Sequence, residues 1–297
     1  MSGMDGGTLQ LVLKEPGPGL GEGPVWWKER SVLLWVQINK SKVGLFDPIT
    51  QENRFINVPS HVGAVVPTTA GDLIAATAKG FIRIDADSGE VTELSDPEDD
   101  KKGNRFNDGK CDPWGRFWAG TMAYNFEKGA ANLWRLDPDG TVSLQRSDVT
   151  CSNGLAWSLD RKKLYYIDSP TLSVVAFPLT DEGEIAGDPT TCFTIPVEEW
   201  GDGCMPDGMC IDEDGNLWVC LYDGSGVTKW DPETGNLMEF LQIPCKKVTS
   251  CCFGGENLDR LFITTCEWDG AEPEPLAGSI FQANVGVKGI PTDYYRG

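Results

Sequence analysis

Apolar and polar positions change over in short bursts along the chain, and no stretch sustains a helical period. One pattern recurs: a turn, then two or three apolar residues rich in aromatics. It reads Arg30-Ser-Val-Leu-Leu34-Trp-Val, Gly71-Asp-Leu73-Ile-Ala and Gly115-Arg-Phe117-Trp-Ala. It returns as Lys163-Leu164-Tyr-Tyr-Ile, Gly215-Asn-Leu217-Trp-Val and Asp259-Arg-Leu261-Phe-Ile. The copies lie about 45 residues apart, the spacing of a four-stranded repeat unit.

Each copy has strand-like text on both sides. Upstream stand short apolar runs such as Gly154-Leu-Ala-Trp157 and Gly208-Met-Cys-Ile211. Downstream come a strand and an Asp/Gly turn, as in Val43-Gly-Leu-Phe-Asp47-Pro and Val227-Thr-Lys-Trp-Asp231-Pro-Glu-Thr-Gly. Asp-Pro followed by Gly is turn chemistry, because Pro presets φ and Gly accepts a positive φ. Four antiparallel strands in each of six repeats predict an all-β, six-bladed β-propeller, with 1–297 a single domain. The last repeat runs short of strands after Gly278-Ser-Ile-Phe-Gln282, whereas Thr8–Lys14 forms a strand with no repeat of its own. This segment is expected to complete the sixth blade and so close the ring, removing an open edge.

In a propeller the first strand of every blade lines the central channel, and all first strands point the same way. Counting back about ten to twelve residues from each repeat marker locates their openings, near 22, 61, 105, 153, 207 and 249. Glu22, His61, Arg105, Asn107, Asn153, Asp207, Thr249 and Ser250 are therefore expected to gather at one mouth. Glu22, Asn153 and Asp207 supply hard oxygen donors suited to Ca²⁺, Mg²⁺ or Mn²⁺. Two carboxylates converging without a cation would be costly.

Charge and composition narrow the choice of partner. Lys and Arg number 25 against 45 Asp and Glu, for a net charge of −20. Such a surface repels phosphate backbones and anionic lipid, so neither nucleic acid nor membrane is expected as a partner. Residues 1–7 lack the basic and apolar regions of a leader, and no apolar run is long enough to span a bilayer, which points to the cytoplasm. The ten cysteines include no C-x-x-C pair and sit mostly in strand-like text, so they read as buried free thiols. His61 is the sole histidine, and no G-x-S-x-G is present, which argues against a serine-hydrolase triad. The Gly-rich run 17–23 has the wrong spacing for a phosphate loop and carries Glu22. Asp212-Glu-Asp-Gly-Asn216 resembles the start of a Ca²⁺ loop but falls where every repeat has a hairpin turn.

An ordered set of motifs then adds a resemblance. Leu20-Gly-Glu22-Gly-Pro-Val-Trp26, Asn104-Arg-Phe-Asn107-Asp-Gly, Trp118-Ala-Gly-Thr-Met122, Ser152-Asn153-Gly-Leu-Ala-Trp, Tyr165-Tyr-Ile-Asp168-Ser and Pro206-Asp207-Gly-Met resemble the regucalcin/gluconolactonase family, which includes the luciferin-regenerating enzyme. The resemblance runs from about residue 20 to about 285. It implies a six-bladed propeller with one divalent cation (Ca²⁺, Mg²⁺, Mn²⁺ or Zn²⁺) held by Glu22, Asn153 and Asp207. It also implies substrate contacts from Arg105 and Asn107. Sugar-lactone members often carry an acidic residue shortly after the Gly-Thr-Met segment; here Tyr124 and Asn125 stand there as substrate contacts.

The implied activity is hydrolysis of a small cyclic ester, a sugar lactone above all, with Asp207 as general base for water. The alternatives are the same metal site acting on a phosphotriester, aryl ester or luciferin-type substrate, and a non-catalytic Ca²⁺-binding or interaction propeller. Residues 122–131 are expected to form a flap over the mouth.

Overall fold

A computed structural model describes residues 9–14, 19–201, 203–267 and 274–297. Met1–Thr8, Gly17 and Pro18 lie outside the described residues, and with them the leader reading and part of the Gly-rich run. The described chain is all-β, its helical pieces being 3₁₀ turns of three residues each.

The strands form antiparallel sheets in sequence order. Four sheets have four strands each: 62–95, 104–149, 152–194 and 205–242. A fifth has eight strands and resolves into two groups of four. One group spans 19–57. The other joins Val248–Gly254, Arg260–Glu267 and Ile280–Ala283 to Gln10–Leu13 from the start of the chain. Gln10 faces Gln282 and Leu11 faces Phe281, so the segment read as an orphan strand pairs with the last strand of this group. The two groups meet where Gly19 and Leu20 pair with Glu267 and Cys266. This arrangement of four-stranded antiparallel units is consistent with a propeller.

All six repeat markers fall in the second strand of a unit. The first strand of each unit packs against the first strand of the next, and Gly19–Trp27 also packs against Val248–Gly254. First and second strands are buried along nearly their whole length, because neighbouring units cover both faces. Outer strands such as Val91–Ser95 and Val142–Val149 are mostly half-buried or exposed, since only part of each is covered. The ten cysteines are free, and all but Cys192 are buried.

The turn between first and second strands explains two charged residues in the core. Asp112 is fully buried, and its carboxylate accepts from the backbone N–H groups of Trp114 (3.0 Å) and Arg116 (2.9 Å) and from the indole of Trp118 (2.7 Å). Asp212 repeats the device with Asp214, Asn216 and Trp218. Asp212–Asn216 is thus a hairpin turn, as its position in the repeat indicates, and its carboxylate serves the protein itself.

Each first strand also breaks register with the second near its opening. The irregularities fall between Glu22 and Val25, Val62 and Ala64, Phe106 and Asp108, Asn153 and Leu155, Pro206 and Met209, and Val248 and Ser250. A bulge re-aims a side chain that strict alternation would turn into the sheet packing. Here the bulges coincide with the polar residues at the mouth.

Candidate metal centre and substrate cavity

Four of the bulged openings meet around a cavity of about 390 Å³. Glu22, Arg105, Asn107, Asn153 and Asp207, each from a first strand, line it, as do His61 and Tyr124. Asn125 does not: its amide turns to Glu127, accepting from the Glu127 N–H at 3.2 Å. Thr249 and Ser250 are also outside the lining; Thr249 donates to the Gly21 carbonyl at 2.6 Å and braces the neighbouring unit.

Glu22, Asn153 and Asp207 are only 4–7% exposed. The backbone N–H of Gly23 donates to Glu22 Oε2 at 2.7 Å, and Gly23 sits at φ +51°, a conformation that glycine takes without strain. Burial, followed by repulsion from Asp207 and Asp108, pushes the Glu22 carboxyl well above its ordinary range. Burial does the same to Asp207, with Asp108 adding to it and Arg105 opposing it. The Asn153 amide is fixed in orientation: its Nδ2 donates to Ser169 Oγ at 2.8 Å, and Ser169 Oγ donates to the Pro206 carbonyl at 2.7 Å. The amide oxygen of Asn153 is thereby directed away from Ser169 and accepts from Asn107 Nδ2 at 3.0 Å.

Among the described residues no group of three or more His, Cys, Asp or Glu is placed to hold a metal ion. The set here is mixed, with two carboxylates and one oriented amide oxygen. These donors fit a hard divalent cation, whose charge would offset the repulsion that burial leaves between Glu22 and Asp207.

Arg105 is 8% exposed, and its Nη1 donates to Asn107 Oδ1 at 2.7 Å and to the Phe106 carbonyl at 3.0 Å. Asn107 in turn donates to the Ser152 carbonyl at 2.8 Å. Both ends of the Asn107 amide are therefore engaged with protein, so it holds Arg105 and Asn153 in place. Above them the Tyr124 hydroxyl and His61 Nδ1 lie 2.8 Å apart. Burial, then the nearby charge of Arg105, lowers the His61 pKa.

Two participants went unread in the sequence. Asp108 stands beside Asn107 in turn-like text, and only the bulge brings its charge to bear on Glu22 and Asp207. Ser169 follows the Tyr165–Asp168 strand, and its role rests on a contact 16 residues away along the chain.

A family profile described as "SMP-30/Gluconolactonase/LRE-like region" matches residues 20–267. Regucalcin from Oryctolagus cuniculus is 38% identical over 288 residues, covering 93% of this chain and 95% of that protein. Regucalcin from Homo sapiens is likewise 38% identical over 288 residues, with the same coverage. A solved structure of a luciferin-regenerating enzyme superposes with a TM-score of 0.90 at 29% identity, covering 98% of this chain and all of that one. A structure described as a calcium-binding protein, regucalcin, from Agrobacterium tumefaciens gives a TM-score of 0.91 at 23% identity over the full length of both chains. A gluconolactonase from Xanthomonas campestris gives 0.75 at 23% identity, covering 94% of this chain and 89% of that one. With its ordered motifs, its sheets and its central cavity, the chain belongs to the SMP-30/gluconolactonase/LRE-like family.

Proposed function

We propose that the protein is a divalent-metal-dependent lactonase, acting at one mouth of a closed ring of six blades. Glu22, Asn153 and Asp207 would hold the cation. The observation that carries the reading is their convergence with Arg105 on one cavity, from four different units of the fold. The circuit of packed first strands and the pairing of Gln10–Leu13 with Ile280–Ala283 support the closed ring.

When bound, the cation supplies Lewis acidity toward a lactone carbonyl and favours build-up of negative charge on its oxygen. Arg105 binds and orients the ester from the side of Asn107, which fixes the guanidinium before substrate arrives. Asp207 takes a proton from the attacking water at its carboxylate. Burial of Glu22, Arg105, Asn153 and Asp207 lowers the local dielectric and strengthens each of these interactions.

The test is direct. Chelation is expected to abolish lactone hydrolysis, and adding back a single divalent ion to restore it. Asp207→Ala is expected to abolish turnover, a loss of at least about a hundredfold, while circular dichroism stays native. Hydrolysis by Asp207→Ala at the wild-type rate would refute the assignment. The calcium-binding description of the Agrobacterium relative favours a second reading, a cation-holding propeller without turnover. That reading predicts cation binding dependent on Glu22 and Asp207 with no hydrolysis of any lactone.

A further inference from the structure

We infer that the cavity selects lactones bearing an alkyl or aryl substituent over polyhydroxylated sugar lactones, with Tyr124 and Phe126 as its specificity-determining residues. The inference rests on the lactonase reading and names its substrate class.

The first argument is the state of the polar groups. A sugar lactone brings several hydroxyls, and each must find a partner once it leaves water. Arg105, which the lactonase reading assigns to the ester group, keeps free donors, but several other lining side chains able to read hydroxyls already have protein partners. The Asn107 amide is held at both ends by Arg105, Asn153 and the Ser152 carbonyl. Ser169 Oγ donates to the Pro206 carbonyl, Asn39 Oδ1 accepts from the Leu20 N–H at 3.1 Å, and the Tyr124 hydroxyl is joined to His61. Glu22 and Asp207 are reserved for the cation.

The second argument is the rim. Tyr124 and Phe126 line the cavity yet remain 51% and 44% exposed, so their rings offer apolar surface awaiting a cover. The Tyr124 ring lies over the Arg105 guanidinium, its centroid 5.9 Å from Cζ, and so covers one flank of that cation. Phe126 sits at φ +58°, a backbone region that disfavours aromatic residues, and its N–H donates to the Ala123 carbonyl in a tight turn. The chain accepts this conformation and places a large apolar ring at the entrance. Ile38, Met122 and Met205 continue the same surface inward.

The experiment compares kcat/KM of the metal-loaded protein for glucono-1,5-lactone, for a six-membered lactone with an alkyl chain, and for an aryl-fused six-membered lactone. The apolar lactones are expected to lead by at least about tenfold. Tyr124→Glu is expected to move the ratio toward gluconolactone by about tenfold, Tyr124→Phe to keep it, and Phe126→Gly to lower kcat/KM for the apolar pair alone. A wild-type preference for gluconolactone, or a ratio unmoved by Tyr124→Glu, would overturn the inference and leave the lactonase standing. Absence of turnover on all three lactones with cation bound would instead overturn the lactonase reading, and the inference with it.

Discussion

Ser169 shows how much one hydroxyl decides. It holds the nitrogen end of the Asn153 amide, so the oxygen end is presented in a single orientation. Without it the nitrogen end would keep only a weak contact to Cys151 Sγ, and the amide would be held mainly by the Asn107 donor to its oxygen. Residues that orient a ligand typically change metal affinity by about 10- to 100-fold. Ser169→Ala is therefore expected to weaken divalent-cation binding by about tenfold, measured by calorimetry, with little change in thermal stability. Unaltered affinity would mean that Asn153 is oriented by Asn107 alone. Glu22, Asn153 and Asp207 were legible in the sequence because each opens a first strand at a countable distance from an aromatic marker. Ser169 and Asp108 were not, because their roles rest on contacts between strands that no local spacing encodes. Asn107 was legible as a site residue, but not as a brace for Arg105, which depends on which way its amide faces.

Bulges are the element on which the site depends. Strict alternation would put every second residue of a first strand into sheet packing; at four of the openings the irregularity accompanies a polar side chain turned toward the mouth. Gly208 follows Asp207 in one of these bulges, and a Cβ there would lie 2.1 Å from Ser250 Oγ and 2.9 Å from Ser250 Cα. Backbone cannot yield as a side-chain tip can. Gly208→Ala is expected to cost about 2 kcal/mol in urea unfolding and to impair cation binding, because the neighbouring first strand must shift. An unchanged unfolding midpoint would show that the two strands have room to part. Strand existence and order were readable from the turn-and-aromatic pattern, and all six markers lie in second strands. The bulges were hidden, since one inserted residue leaves composition and average period untouched.

At the scale of the whole molecule, the first and last strands share a sheet. Gln10–Leu13 covers the edge of Ile280–Ala283 with an antiparallel ladder. Removing residues 1–14 is expected to bare that edge, lower the melting temperature by several degrees and produce self-association visible by light scattering. A truncated chain that stays monomeric and equally stable would mean the strand contributes little to closure. The net charge of −20 keeps the intact surface self-repelling and draws cations toward the cavity.

The proposed cation donors and Arg105 come from first strands, but Tyr124 and Phe126 come from one short connection between Phe117–Ala123 and Ala131–Leu136. Both anchors of that connection are pinned in register, Ala123 to Asn104 and Ala131 to Val149. On the lactonase proposal, the chemistry and the choice of ester are written in separable stretches of chain. Grafting a different segment 124–130 is then expected to redirect the proposed lactonase to another ester while the groups held on the first strands stay as they are.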